Sequence, residues 1–289
     1  MRLTRRDRII LFAPLALLLG GWLVLPAGLG LFATFTTYSP FTTSVRFSGL
    51  ANYAAVVQDP QFGAAIRNVA VFTAVAVPLE MALGFGIAYL LRRPVRGRAL
   101  WRMLLLTPWL VSPIAGGVMW HFLLGGATGI PDFVFGWLRL PEVASPIGDP
   151  RLALATAIAV EVWRVAPFVT FLLLPALASI PNERWEEAAL AGASWTQQIL
   201  HVAIPEVRTL LLTVAMLLIG LSFGAFDTIL ILTGGGPGTA TLTPALYSYG
   251  RAFQTNDWPV GAASAWLIAA AVIAVGAVYL RLARRRPAP

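Results

Sequence analysis

The feature that most constrains this chain is a series of apolar stretches, each long enough to cross a lipid bilayer. A membrane-spanning helix needs about 20 mostly apolar residues. Hydrophobic residues make up 58% of the 289-residue chain and charged residues only 12%, whereas a soluble domain usually carries about 25% charged residues. We therefore exclude an ordinary soluble enzyme. Six spans are predicted, over residues 9–32, 69–91, 103–124, 152–178, 209–233 and 260–280.

These stretches predict an all-α membrane protein with six transmembrane helices in a single domain over residues 1–289. Arginines indicate the orientation, because basic residues concentrate in cytoplasmic loops. Of the 21 arginines, 15 lie on one side of the predicted bilayer, 5 lie on the other, and Arg164 lies within a span. Both termini are therefore predicted to be cytoplasmic, and the net charge of +8 reflects topology rather than nucleic-acid binding. A cleaved signal peptide is the alternative for residues 9–32, but their length exceeds the about 7–15 residues of such a core.

Several residue types that support catalysis or cofactor binding are missing. All basic residues are Arg, so the chain lacks the Lys that a Walker A loop requires. The absence of Cys excludes disulfides and iron–sulfur clusters. The two histidines, His121 and His201, fall on opposite sides of the predicted membrane. We therefore expect no catalytic residue, no metal site and no cofactor bound by this chain.

The longest predicted cytoplasmic connection, residues 179–208, carries signals of ordered structure. Pro181 suits the first turn of a helix, and the glutamates near that end complement the helix dipole. Trp185, Ala188 and Gly192 recur at helical spacing and form a narrow face of mostly small side chains. Gly192 is a natural end for this helix.

A second short helix is predicted directly after Gly192. Ser194 followed by Gln197 has the spacing of a capping box, and Pro205 is predicted to end this helix before the fifth span. A short helix with a small-residue face and a large aromatic at one edge can dock in a groove of a partner protein. The alternative is a loop helix packed on the base of the chain's own bundle, and the residues alone leave both open.

This segment resembles the cytoplasmic EAA loop of permeases from binding-protein-dependent ABC importers. That loop has the pattern E-A-A-x3-G, with Pro thirteen residues after the Gly. Here Glu186 takes the Glu position, Glu187 and Ala188 take the two Ala positions, and Gly192 takes the Gly position. Pro205 follows Gly192 by thirteen residues, while Glu187 departs from the pattern.

Other segments resemble the same family in collinear order, from about residue 36 to residue 281. The match is with its carbohydrate and glycerol-phosphate branch. The residues that carry it are Phe47–Tyr53 and Asp59–Phe62 before the second span, Trp163–Phe168 in the fourth, Phe226-Asp227 near the end of the fifth, and the Thr233–Gly238 loop.

The resemblance implies a permease subunit of an ATP-driven importer in the bacterial cytoplasmic membrane. Its implied partners are a second, different permease subunit, two ATPase subunits that bind ATP and Mg, and an extracytoplasmic substrate-binding protein. The coupling residues it implies in this chain are Trp185, Glu186, Glu187, Ala188 and Gly192.

Polar and aromatic side chains within the spans are the candidates for the substrate path, because ionisable groups inside a membrane are costly and often functional. Glu161 and Arg164 are three residues apart and are predicted to pair with each other or to contact substrate. Glu80, beside Pro78, is predicted to bond with backbone freed by the proline or to line the path. Asp227 is a further candidate, with a structural or gating role as the alternative. The last candidates are Trp109 and Trp163, which could stack on sugar rings or lie at the membrane interface.

Two other classes of protein fit the sequence less well. A stand-alone channel or secondary transporter would show inverted repeats and broken helices, and it leaves the ordered cytoplasmic segment without a purpose. A membrane-embedded enzyme would need a nucleophile–base pair or a metal cluster, for which the chain has few residues. The importer permease is therefore the function that we expect, with the channel or carrier as the alternative.

Overall fold

The computed structural model describes residues 12–15, 17–39, 41, 44–92, 97–125, 137 and 145–284. This part of the chain is helical, and its only β-type pairing is an isolated bridge between Thr36 and Phe47. In chain order the helices are α1 (Phe12–Ala33), α2 (Ala51–Gln58), α3 (Pro60–Leu91), α4 (Arg98–Leu110), α5 (Pro113–Leu124), α6 (Ala153–Ala178), α7 (Asn182–Leu190), α8 (Trp195–Phe223), α9 (Asp227–Leu232), α10 (Pro244–Tyr249) and α11 (Trp258–Arg284).

Among the described residues, five helices are long and apolar enough to cross a membrane, or six if the bent pair α4–α5 forms one span. The five are α1, α3, α6, α8 and α11. The all-α membrane class predicted from the sequence is thus confirmed. The predicted fourth span, 152–178, agrees closely with α6, and residues 9–11 of the predicted first span lie outside the described residues.

The second and third spans differ from the predictions. Helix α3 begins at Pro60 rather than at residue 69, because the Asp59 carboxylate accepts a hydrogen bond from the Gln61 N–H at 2.8 Å and supports the helix start. The predicted span 103–124 is broken into two helices, because α4 and α5 meet at an angle of 89°. The break lies at Ser112, because the following Pro113 disfavours helical backbone at the residue before it.

The predicted fifth span, 209–233, is also wrong in its bounds. Helix α8 begins at Trp195 and ends at Phe223, and α9 follows as a separate helix. Pro205 does not end a helix, and α8 continues through it. A π-helical turn over Ile199–Ala203 directly precedes the proline and accommodates it within α8. The sixth predicted span, 260–280, lies inside the longer α11.

The chain divides into two compact units, and the first comprises Met1–Gly63 and Tyr247–Ala271. Within this first unit, the Asn52 side chain forms hydrogen bonds with the backbone that follows α1. Its amide donates hydrogen bonds to the carbonyls of Thr34 and Thr36 at 2.8 and 2.9 Å. The segment that resembles the permease family therefore has a structural role here.

The second unit comprises Ala64–Leu246 and Val272–Pro289. Its core lies where α3, α6 and α8 pack together, with Leu173, Leu177 and Leu218 almost fully buried. Gly84 permits the close approach of α3 to α6, because a Cβ at this position would lie 2.5 Å from the Val169 side chain. Small residues allow such close packing between membrane helices.

Candidate functional site

A cavity of about 240 Å³ lies within the second unit, between α3, α4, α6, α8 and α9. Five of the six substrate-path candidates line it, although they are far apart in the sequence. The remaining wall is mostly aromatic and aliphatic, with the hydroxyls of Ser222 and Thr228. The five candidates are Glu80, Trp109, Glu161, Arg164 and Asp227.

Glu161 and Arg164 form the ion pair that their spacing predicted. The Arg164 guanidinium donates two hydrogen bonds to the Glu161 carboxylate, at 2.6 Å from Nη2 and 3.2 Å from Nε. Both side chains are mostly buried, with 15% and 16% exposed. The guanidinium also lies 5.3 Å from the centre of the Trp109 ring, at cation–π distance. The charge of Arg164 is therefore already satisfied on two sides.

Glu80 is only 2% exposed and lines the cavity from α3. Among the described residues, its carboxyl has neither a hydrogen bond nor an ion pair. The predicted bond to backbone freed by Pro78 is therefore wrong, although Pro78 does lie inside α3. Glu80 instead lines the cavity, where contact with water or solute is more favourable for a polar group than contact with lipid.

Asp227 is exposed and begins the separate helix α9, whereas the predicted fifth span, 209–233, contained it near its end. The helix break at Gly224–Phe226 places it at the cavity wall. The Thr243 hydroxyl donates a hydrogen bond at 2.9 Å to the Ala225 carbonyl and so satisfies one backbone group that the break frees. A carboxylate at the N-terminus of α9 also complements the helix dipole.

The two candidate tryptophans differ in position. The Trp109 ring stacks on Phe168 with a centroid distance of 4.2 Å, and it lines the cavity. Trp163 is not part of the cavity wall; its ring packs edge-on against Trp120 at 5.4 Å. Of the two candidate tryptophans, only Trp109 lines this cavity, whereas the Trp163 side chain on α6 contacts α5.

The predicted coupling helix is α7, and the structure buries its aromatic residue. Trp185 is only 8% exposed and packs edge-on against Tyr89 at 5.8 Å. The Arg92 guanidinium lies 3.6 Å from the centre of the Trp185 ring and 4.5 Å from that of Tyr89. Trp185 therefore anchors α7 to the end of α3, and at this residue the helix packs on the chain's own bundle, the second of the two alternatives that the sequence left open.

The opposite side of α7 is open. Glu186 and Glu187 are exposed, Ala188 is half-buried, and Leu190 is 90% exposed. Gly192 ends the helix as predicted: its φ is +76°, a left-handed conformation that favours glycine. The exposed side chains of α7 therefore face away from the bundle that holds Trp185.

The second predicted helix also forms, with both hydrogen bonds of the capping box. The Ser194 hydroxyl accepts from the Gln197 N–H at 3.4 Å, and the Gln197 side chain accepts from the Ser194 N–H at 2.8 Å. The predicted box is therefore confirmed. It starts α8 rather than a separate short helix.

Sequence reasoning missed a polar cluster in the first unit. Asp59 forms an ion pair with Arg251 and accepts a hydrogen bond from the Tyr247 hydroxyl at 2.7 Å. Burial raises the pKa of Asp59, but the bonds from Tyr247 and Arg251 outweigh it and hold that pKa below its ordinary value. Burial, together with the bond to Asp59, raises the pKa of Tyr247 to about 12. No local pattern indicates a contact between residues so far apart in sequence.

A second missed contact orders the Gly-rich loop. The Asn68 amide, on α3, donates to the carbonyls of Thr239 and Leu242 at 2.7 and 3.0 Å. Within the loop, the Thr241 hydroxyl contacts the Thr233 hydroxyl at 2.6 Å and donates to the Gly236 carbonyl at 2.9 Å. Side chains therefore satisfy this loop's own backbone, as a loop with so many glycines requires.

Within the described residues, no three His, Cys, Asp or Glu side chains are grouped so that they could hold a metal ion. Each histidine makes a local contact instead: the His121 Nδ1 lies 2.8 Å from the Leu232 carbonyl, and the His201 Nδ1 lies 3.0 Å from that of Gln197.

Comparison with known proteins decides the family. Residues 80–286 match the model of the binding-protein-dependent transport system inner membrane component. This chain belongs to that family. It is therefore the membrane permease subunit of an ABC importer and not an enzyme, as the resemblance of residues 179–208 predicted.

Individual relatives agree with this assignment. The chain is 34% identical over 232 residues to the probable ABC transporter permease protein y4oQ of Sinorhizobium fredii, covering 80% of this chain and 74% of that one. It is 30% identical over 249 residues to the trehalose/maltose transport system permease protein MalF of Thermococcus litoralis, covering 85% and 83%.

The fold of the permease is also similar to a solved structure. This is a chain of the bacterial alginate ABC transporter in complex with an alginate pentasaccharide-bound periplasmic protein. The TM-score is 0.84 at 19% identity, over 97% of this chain and 96% of that one. Broken helices are expected of secondary transporters, but here they do not favour that class, because the family match at 80–286 covers both breaks.

Proposed function

We propose that this permease forms half of a translocation path for a carbohydrate or a related polyol or glycerol-phosphate solute, and that the cavity at Glu80 is part of that path. The relative from Thermococcus litoralis is named for trehalose and maltose, which supports a sugar-like solute. A small cavity with a few polar groups among aromatic walls is typical of ligand sites. The observation that carries the proposal is the convergence of five sequence-predicted residues on this one cavity.

The proposed assembly has four kinds of subunit. A second, different permease completes the path, two ATPase subunits bind ATP and Mg on the cytoplasmic side, and an extracytoplasmic binding protein delivers the solute. The binding protein in the structure of the alginate transporter supports the last of these. The chain would lie in the bacterial cytoplasmic membrane as one transmembrane domain over residues 1–289, with six spans and both termini in the cytoplasm.

Coupling would run through α7 and α3. The ATPase would contact the exposed face of α7, while Trp185 holds that helix against Tyr89 and Arg92. Tyr89 lies nine residues after Glu80 on α3, a rise of about 13 Å along one helix. No proline interrupts that part of α3, so a displacement of α7 would reach the cavity as a movement of one rigid element.

ATP-driven closure of the ATPases would then bias the cavity between outward-facing and inward-facing states. Such a population shift requires contacts that differ between the two states. Leu190 and Trp185 would provide such contacts on opposite sides of α7. The exposed Leu190 would contact the ATPase, and the buried Trp185 would transmit the movement of α7 to the bundle.

The proposal is tested by purifying the tagged chain from its native membranes in mild detergent and identifying co-eluting proteins by mass spectrometry. We expect one second permease and an ATPase at twice the amount of each permease. The reconstituted complex should hydrolyse ATP faster when a loaded binding protein is added. Recovery of this chain alone, active in uptake without ATP, would overturn the proposal in favour of a carrier or channel.

A further inference from the structure

We propose that the cavity at Glu80 takes neutral polyhydroxy solutes and rejects solutes that carry a phosphate, carboxylate or sulfonate. This inference rests on the proposed function, because it treats the cavity as part of the solute path. Of the solutes that the proposed function allows, this inference keeps the neutral carbohydrates and polyols and excludes the phosphates. Members of the family differ in this respect: one relative is named for trehalose and maltose, which are uncharged, and the similar structure is that of an alginate transporter, whose solute is acidic.

The balance of charge in the cavity wall is negative. The described lining residues include three carboxyl groups, those of Glu80, Glu161 and Asp227, but only one cationic group, the Arg164 guanidinium. With Glu161 and Arg164 paired, the wall still has more carboxyl groups than cationic groups. An anionic solute would therefore meet like charge at the cavity wall.

The one guanidinium is already paired with a carboxylate. Both its Nε and its Nη2 donate to Glu161, and its face lies over Trp109. A phosphate or carboxylate that bound the remaining N–H groups of Arg164 would lie close to the Glu161 carboxylate and would be repelled by its like charge.

Glu80 points to a hydroxyl-bearing ligand. It is 2% exposed, it lines the cavity, and its carboxyl has no hydrogen-bond partner among the described residues. An ionised carboxylate accepts hydrogen bonds, and a protonated one both donates and accepts. In either state it can bond a sugar or polyol hydroxyl, and the Ser222 and Thr228 hydroxyls line the same space.

The size of the cavity fits a small solute or one ring of a larger one. Its volume is about 240 Å³, whereas pockets for drug-sized ligands have volumes of about 300–1,000 Å³. We therefore expect the site to contact one sugar ring at a time as the solute passes.

The test is a direct binding measurement on the purified complex of the two permeases and the ATPase in detergent, by saturation-transfer NMR. Glucose and glucose 6-phosphate serve as probes, because they differ by one phosphate group. We expect glucose to bind, and glucose 6-phosphate to bind about tenfold or more weakly. The double variant Glu80→Gln, Asp227→Asn should bring the two affinities closer together by weakening the rejection of the phosphate.

Asp257→Asn is the matched control. It removes one negative charge in the first unit, and Asn retains the ability to cap α11 through the bond that Asp257 accepts from the Val260 N–H. The preference for glucose should be unchanged in this variant. Equal or tighter binding of glucose 6-phosphate, an unchanged preference in the double variant, or no binding of either probe would each overturn the inference. Failure of the proposed function would instead appear as a missing ATPase partner.

Discussion

Two substitutions on α7 are expected to separate folding from coupling. Trp185→Ala removes a side chain that is 8% exposed, whereas Leu190→Ala removes one that is 90% exposed. Replacing a buried Trp by Ala costs about 3–5 kcal/mol, and the lost cation–π contact of Arg92 with the Trp185 ring adds about 0.5–2 kcal/mol. Truncating an exposed leucine changes stability by less than about 0.5 kcal/mol.

For binding of the ATPase, we expect Leu190→Ala to have the direct effect that it lacks on stability. Burying a leucine side chain contributes about 1.5–3 kcal/mol, and almost all of Leu190 is available for burial against the ATPase. Leu190→Ala should therefore weaken ATPase binding by about tenfold to a hundredfold. The permease itself should remain folded.

Stability would be measured by far-UV circular dichroism of the purified permease during heating, and coupling by the ATPase rate of the reconstituted complex with loaded binding protein. Trp185→Ala should lower the melting temperature by about 10 °C. Trp195→Ala is its matched control, because that ring also packs edge-on against Tyr89 but is 59% exposed. Leu190→Met, which conserves size, is the control for Leu190→Ala.

Two results would refute the reasoning. If Trp185→Ala and Trp195→Ala lowered the melting temperature equally, Trp185 would not be the anchor of α7. If Leu190→Ala retained a normal ATPase response to the loaded binding protein, the exposed face of α7 would not be the docking surface.

Three further predictions concern polar contacts, each measured by thermal unfolding in detergent. Glu161→Ala alone should destabilise the permease by about 3 kcal/mol and more than the double variant with Arg164→Ala, because one unpaired buried charge costs more than none. Asp59→Asn should destabilise the permease by about 1–3 kcal/mol at neutral pH. The pKa of Asp59 in the folded protein lies below its ordinary value of 3.8. The difference in stability from the wild type should therefore persist above pH 3.8 and vanish as the pH falls through the folded pKa. Asn68→Ala should cost about 1–3 kcal/mol, because two carbonyls of the Gly-rich loop lose their donor.

Each of these predictions has a contrary outcome. Additive losses in the double-mutant cycle would show that Glu161 and Arg164 act independently. A difference between Asp59→Asn and the wild type that grew as the pH fell would contradict a lowered folded pKa at Asp59. An unchanged melting temperature for Asn68→Ala would show that the loop carbonyls find water instead.

Much of the local structure follows from the sequence alone. The apolar runs determined the membrane class, because about 20 consecutive apolar residues are long enough to cross a bilayer as a helix that satisfies its own backbone. The capping box of Ser194 and the end of α7 at Gly192 were also predicted correctly. These features depend on residues within a few positions of one another, so their hydrogen bonds and backbone angles can be derived from spacing. The pairing of Glu161 with Arg164 is local in the same sense.

The tertiary structure decided everything that depends on which faces meet. It brought Glu80 and Asp227 into one cavity with the Glu161–Arg164 pair, and it buried Trp185 beneath Arg92, where the sequence left open whether this helix packs on its own bundle or docks in a partner. Such contacts are set by packing between helices distant in sequence, and a hydropathy pattern does not encode them. An apolar run identifies a helix as a membrane span. Which of its sides faces lipid, a cavity or a partner depends on how the neighbouring helices pack against it.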